Sequence, residues 1–250
     1  MDFVETQLNG NLLVDIVKDE IKPLDKSSTS KSLKDKKPNE NKLKEAFQLR
    51  GPSCGLIVVD NFYNNAQGTR DFILTQDFSV RGNFPGQRTI SYATQHLRDV
   101  IQAYVGPFGG KITEFPMPLT QGKTEEKAIY NGSFQYTTSR ERSWIHADGW
   151  NNWAGVLYLT PDAPLSAGTA FYRFKNGEYS EEDAALLNTK DQTDKSSQEL
   201  TKWEQVDKVG NVFNRLILFN SKRFHMSMDY FGDTKENSRL FQVFFFSTER

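Results

Sequence analysis

Trp144-Ile145-His146-Ala147-Asp148 and, far downstream, Arg223-Phe224-His225-Met226-Ser227 are the two stretches on which the reading of this chain turns. The protein has three histidines, and two of them stand here. Alternate residues of a strand point to the same face, so His146 and Asp148 can reach one point in space. A histidine, a carboxylate two positions later and a distant second histidine make a 2-His-1-carboxylate set. Such a set holds non-haem Fe(II) on one face and leaves the other face open. Imidazole suits divalent iron, and the carboxylate adds a hard, negative ligand. Three protein ligands on an octahedral ion leave three positions. A 2-oxo acid can occupy two of them as a chelate, and O₂ the third.

An HxD tripeptide alone is a weak signal, because most histidines are structural. Its surroundings strengthen it. Gly168-Thr169-Ala170-Phe171 reads as a loop ending in a strand start. Asn214-Arg215-Leu216-Ile217-Leu218-Phe219 is an apolar strand leading into a polar turn before His225. Arg239-Leu240-Phe241-Gln242-Val243-Phe244-Phe245-Phe246 is a β-rich run that begins at an arginine. A guanidinium stays charged and grips a carboxylate through two donors, which makes Arg239 the natural partner for an organic acid on the metal.

This order of elements resembles the iron- and 2-oxoglutarate-dependent dioxygenases, and within them the prolyl-4-hydroxylase-like branch. The resemblance spans about residues 53–248. It is carried by Leu56-Ile57-Val58-Val59-Asp60-Asn61-Phe62-Tyr63, by Phe84-Pro85-Gly86-Gln87-Arg88-Thr89, by Trp144 to Asp148, and by His225 to Phe246. It implies a mainly β fold with flanking helices, a double-stranded β-helix or jelly roll. It also implies His146, Asp148 and His225 as iron ligands and Arg239 on the far carboxylate of 2-oxoglutarate. The best-known prolyl hydroxylases often use a lysine for that last task, so the chain looks more like a bacterial and phage subfamily than like a collagen-modifying enzyme. The implied reaction couples oxidative decarboxylation of 2-oxoglutarate to hydroxylation of a C–H bond. Related halogenases have a small residue in place of the carboxylate, so Asp148 favours hydroxylation.

Gln135 and Tyr136, on the strand before HxD, are further candidates for the co-substrate pocket. Trp144, Trp150 and Trp153 flank the motif and stand as core or pocket residues. Arg142 and Arg88 read equally well as contacts to an anionic substrate or as structural groups. Three substrate classes remain open. A peptidyl residue such as proline is first by family likeness, and a free amino acid or small metabolite is second. A nucleic-acid dealkylase is disfavoured. The net charge is −1, and the next arginine after Arg239 is Arg250, whereas repair dioxygenases place a second one within a few residues. A non-catalytic jelly-roll binding module would require the triad to be coincidence. Oligomeric state is not legible.

At 250 residues the chain fits one all-β domain, with 37% hydrophobic and 13% aromatic residues for a core. Nineteen phenylalanines favour strands packed face to face. The single cysteine, Cys54, excludes an internal disulfide and fits a reducing compartment. It lies beside an apolar run and reads as a packed side chain. No run has membrane-spanning length, and the first residues lack the pattern of a signal peptide. The expectation is a cytoplasmic protein without a membrane partner.

Two parts are expected: an N-terminal segment over 1–50 and the jelly-roll domain over 51–250. Residues 26–45 are rich in Lys, Ser, Asp, Asn and Glu and read as a flexible linker. Ahead of it, the apolar patch Leu12 to Val17 with Ile21 can be strand or helix. Helices are expected over 65–76 and 92–105, the second with a stripe of Leu97, Val100, Ile101 and Tyr104. His96 sits beside that stripe and reads as structural or exposed. Strands are expected over 56–60, 128–136, 153–159, 170–174, 215–219 and 241–247. The polar stretch 180–206, with helical pieces near 181–187 and 198–203, reads as a substrate lid, with a passive insertion as the alternative.

Overall fold

The computed structural model describes residues 54–118, 129–175 and 195–249. The expected linker, the apolar patch ahead of it and the boundary near residue 50 lie outside the described residues. So does most of the expected lid.

The chain enters as strand β1 (Leu56–Val59) and turns into helix α1 (Ala66–Leu74). Asn65 caps this helix, its side-chain oxygen accepting from the Gly68 amide at 2.9 Å. Strand β2 (Gln87–Ser91) follows, then helix α2 (Gln95–Gly109) and the short β3 (Ile112–Glu114). Thr94 caps α2 through the Leu97 amide, so the helix starts three residues later than its apolar stripe suggests. It runs past Pro107 into its last turn and stops at Gly110, whose φ of 83° only glycine adopts easily. Ile101 and Val105 are buried, while His96 is exposed.

The remaining strands are β4 (Ser133–Thr137), β5 (Trp153–Tyr158), β6 (Thr169–Phe174), β7 (Trp203–Val209), β8 (Leu216–Asn220), β9 (Phe224–Ser227) and β10 (Arg239–Thr248). They form two antiparallel sheets. The larger has the order β1-β8-β5-β10-β4-β2, with β3 paired to the end of β10. The smaller has the order β7-β6-β9. His146 forms an antiparallel bridge with His225, which sets the stretch around it beside β9 as a fourth member. From β4 onward the chain therefore visits larger, smaller, larger, smaller, smaller, larger, smaller and larger sheet. That winding, with β4-β10-β5-β8 facing the bridged stretch, β9, β6 and β7, is a jelly roll.

Strand alternation sorts the side chains. Ala154, Tyr158, Phe171, Val209, Ile217 and Phe219 fill the space between the sheets. Phe134, Leu157, Leu216, Leu218, Leu240, Phe244 and Phe246 point to the other face of the larger sheet, where Ile73 of α1 and Ile101 and Val105 of α2 cover them. A third cluster of Ile145, Ala147, Trp203 and Phe224 lies on the outer side of the smaller sheet.

Residues 203–206, expected at the end of a lid, belong to β7. The pattern misled because β7 is an edge strand whose five middle residues are exposed, so it reads as polar. The helical piece expected near 198–203 is one helical turn, Lys195–Gln198, followed by a 3-10 turn at Leu200–Lys202.

Candidate metal centre

The two histidines meet because their backbones pair. The His146 amide donates to the His225 carbonyl at 3.0 Å, and the His225 amide donates back at 2.8 Å. The Asp148 amide donates to the Ser221 carbonyl at 2.9 Å, which extends the pairing to the carboxylate. Ile145 and Ala147 face the outer cluster, so His146 and Asp148 between them face the interior. Phe224 and Met226 flank His225 in the same way.

The potential ligand atoms of His146, Asp148 and His225 all lie within 4.8 Å of one another. The imidazoles are oriented alike. Nδ1 of His146 lies 3.0 Å from the Trp144 carbonyl, and Nδ1 of His225 lies 2.8 Å from the Arg223 carbonyl. A carbonyl only accepts, so each Nδ1 carries a hydrogen, which leaves Nε2 as the ring atom that can face a metal. A backbone carbonyl behind each ring is the support expected of a metal-binding histidine.

The electrostatics fit a cation. Asp148 is half-buried as a residue, yet its Oδ2 is out of contact with solvent and receives no hydrogen bond. Burial raises its pKa, with His146 the largest opposing influence. Burial holds the His225 pKa well below the usual histidine value, and the neighbouring His146 adds to this, so the ring is neutral near pH 7. Two imidazoles beside a carboxylate oxygen without a donor are a set that a divalent ion satisfies. Phe171 and Phe219 pack against His225 and keep that side apolar.

Arg239 opens β10 on the interior face and is fully buried. Its Nε donates to the Ala167 carbonyl at 2.9 Å and its Nη2 to the Gly168 carbonyl at 3.4 Å. Gly168 must be glycine here, since a Cβ would meet the Val209 carbonyl oxygen at 1.9 Å. The Phe241 ring lies 4.3 Å below the guanidinium. Its Nη1 is buried and has no partner. Thr137, directly across from Arg239 on β4, has a buried hydroxyl that also lacks a partner. Two unsatisfied polar groups on adjacent strands of one face form a cradle for an anion. Thr137 was missed in the sequence, because a threonine on a strand carries no distinctive signal.

Gln135 shares this interior face but is committed elsewhere. Its Oε1 accepts from Nε of Arg88 at 2.9 Å and from Nη2 of the same side chain, while its Nε2 donates to the Pro85 carbonyl at 2.5 Å. Tyr136 points the other way, as strand alternation demands. It packs edge-on against Phe78 in the helix-side core with ring centroids 5.1 Å apart. It therefore does not line the cradle. Arg142 and Trp150 are exposed, and Trp153 is buried in the helix-side core.

A family of unknown function (DUF6445) matches residues 134–228, which contain all three cluster residues. No curated protein matches the sequence. Among solved structures, the chain is similar to HygX from Streptomyces hygroscopicus with nickel and 2-oxoglutarate bound, at 11% identity and a TM-score of 0.48. That match covers 79% of this chain and 84% of the other. It is also similar to a prolyl hydroxylase from Trichoplax adhaerens in complex with a peptide fragment, at 13% identity and a TM-score of 0.43, covering 77% and 83%. A Pseudomonas putida prolyl-4-hydroxylase matches at 14% identity and a TM-score of 0.38, covering 78% and 94%.

Proposed function

We propose that the protein is an Fe(II)- and 2-oxoglutarate-dependent dioxygenase that hydroxylates an aliphatic C–H bond. The observation that carries this reading is a His-Asp-His cluster on the inner face of the smaller sheet, with a buried guanidinium whose Nη1 is free on the inner face of the larger one. His146, Asp148 and His225 hold the metal through Nε2, a carboxylate oxygen and Nε2. Arg239 and Thr137 take the far carboxylate of 2-oxoglutarate. Bound iron would supply the activation of O₂ that couples decarboxylation of 2-oxoglutarate to substrate oxidation. The chain supplies the rest. Two backbone carbonyls hold the imidazoles in one tautomer, and Arg239 fixes the acid's orientation. Phe171, Phe219 and Phe241 keep water from the reacting groups.

In balance, substrate, 2-oxoglutarate and O₂ give hydroxylated substrate, succinate and CO₂. The likeness in sequence motifs makes a peptidyl residue such as proline the first substrate to test. A free amino acid or small metabolite is the second reading, favoured by the buried cation Arg88 beside the site. The division into a segment over 1–50 and a catalytic domain over 51–250 is part of the same proposal, as is a cytoplasmic location; among the described residues no helix is long and apolar enough to cross a membrane.

Anaerobic titration with Fe(II) and 2-oxoglutarate should develop the weak visible charge-transfer band of the chelate. His225→Ala should abolish it. A variant that keeps the full band would overturn the ligand assignment.

A further inference from the structure

Arg88 is the buried group that the proposed reaction leaves unused. It lies on β2, opposite Gln135 of β4, and only 6% of its surface is exposed. Its placement is built by several contacts. Gln135 holds Nε and Nη2. Phe84 stacks beneath the guanidinium at 3.7 Å, and Tyr130 lies at 5.0 Å. Gly86, with φ of 76°, lets the preceding turn close on β4; a Cβ there would meet the Tyr136 carbonyl oxygen at 2.0 Å. Among the described residues, Nη1 donates to nothing and no carboxylate lies within ion-pair distance of Arg88. Gln135 stands two residues before Thr137 on the same face of β4, so Arg88 lies beside Thr137 and Arg239 on the interior face of the larger sheet. Burial pushes the Arg88 pKa down to about 9, so the group is still charged at pH 7.

A buried cation held by a neutral amide and aromatic rings is costly unless an anion joins it. The proposed reactants do not provide that anion. A divalent ion, Asp148, Arg239 and the 2-oxoglutarate dianion already cancel in charge. Lys222 sits at the half-buried rim, its ammonium bound to the carbonyl oxygens of Asp148 and Gly149. One interior positive charge remains, and it offers one free donor end.

We propose that Arg88 binds the carboxylate of the primary substrate, so that the enzyme acts on a small acid of the free amino-acid type rather than on a residue inside a peptide. This rests on the dioxygenase reading and deepens it. A carboxylate matches a single leftover charge and an end-on donor. A phosphate dianion would leave the interior negative.

The test uses the full chain labelled with ¹⁵N-arginine and loaded with Zn(II), which is redox-inert. Arg88→Lys and Arg239→Lys assign the two side-chain signals by their loss. Adding 2-oxoglutarate should shift the Arg239 signal. Propionate should then shift the Arg88 signal saturably, and propionamide should not. In the iron enzyme, free amino acids should drive succinate release while their carboxamides do not. Arg88→Gln should weaken the apparent affinity for an active acid on the order of 30-fold or more, with partial recovery in Arg88→Lys. Retention of the 2-oxoglutarate shift at Arg239 in Arg88→Gln shows that this variant is folded. An Arg88 signal that ignores propionate, or equal turnover of acids and carboxamides, overturns the inference while leaving the dioxygenase reading in place. A larger response to inorganic phosphate overturns the carboxylate assignment in favour of a phosphoryl substrate. Failure of 2-oxoglutarate to move the Arg239 signal overturns the underlying reading itself.

Discussion

At the scale of single residues, the site is defined by polar atoms that the protein itself leaves unsatisfied. Asp148 Oδ2, Thr137 Oγ1 and Arg239 Nη1 are all buried without partners. Each such atom costs about 1–3 kcal/mol, more when charged, so several on the facing inner sides of the two sheets point to a ligand that completes them. Arg239→Ala should raise the apparent 2-oxoglutarate constant by the equivalent of about 2–5 kcal/mol, part of it from leaving the acid's carboxylate unpaired. Thr137→Val keeps the shape and removes one hydroxyl, so it should weaken 2-oxoglutarate by about 0.5–1.5 kcal/mol. Titrating each variant with 2-oxoglutarate at saturating Fe(II) checks both. Unchanged constants would move the anchor away from β10 and β4. The grouping of His146, Asp148 and His225 was legible in the sequence because these residue types stand at a distinctive spacing. Thr137 was not, because a threonine on a strand carries no such signal. The expectation for Tyr136 failed for a simpler reason. Adjacent strand residues face opposite ways, so Gln135 and Tyr136 could not both line one pocket.

At the scale of elements, the proposed metal ligands are held from behind. Ile145 and Phe224 immediately precede His146 and His225, and both belong to the outer cluster that contains Trp203 of β7. Trp203 is 4% exposed, and its ring lies 4.7 Å from those of Phe174 and Phe224. Removing it should cost about 3–5 kcal/mol of stability and loosen both ligand-bearing stretches at once. Trp203→Ala should therefore lower the unfolding midpoint and weaken Fe(II) binding together. Val206→Ala, on the exposed side of the same strand, should change stability by no more than about 0.5 kcal/mol. Chemical denaturation and metal titration of the pair decide the matter; equal effects would mean that β7 does not support the site. The same strand shows where sequence reading runs out. The apolar strands β5, β8 and β10 are central in the larger sheet and were found to within a residue or two. The edge strand β7 owes its conformation to pairing with β6, a long-range contact that local polarity hides. The four-residue β9 is too short for a period to declare itself.

At the scale of the whole molecule, the jelly roll gathers charge between its sheets. Arg239 and Arg88 are buried there without carboxylate partners among the described residues, and Asp148 lies beside the imidazoles. The folded protein without ligands bears the cost of those buried charges, so ligands that neutralise them should stabilise it by mass action. A ligand at about 100 times its Kd adds roughly 2.7 kcal/mol. For a domain of this size that corresponds to a rise in Tm of about 5–11 °C. The order of addition is informative. Zn(II) alone should raise Tm by satisfying Asp148 and the two Nε2 atoms. 2-Oxoglutarate added to the zinc protein should raise it again, because the acid then binds both the metal and Arg239. 2-Oxoglutarate without metal should do far less, having only the Arg239 and Thr137 end of its site. Thermal unfolding followed by tryptophan fluorescence, with metal chelated in the control, measures all three. His225→Ala should remove the zinc step and most of the 2-oxoglutarate step with it. If the acid stabilises the metal-free protein as much as the zinc protein, metal and acid do not share one site, and the pairing of the His-Asp-His cluster with Arg239 is wrong.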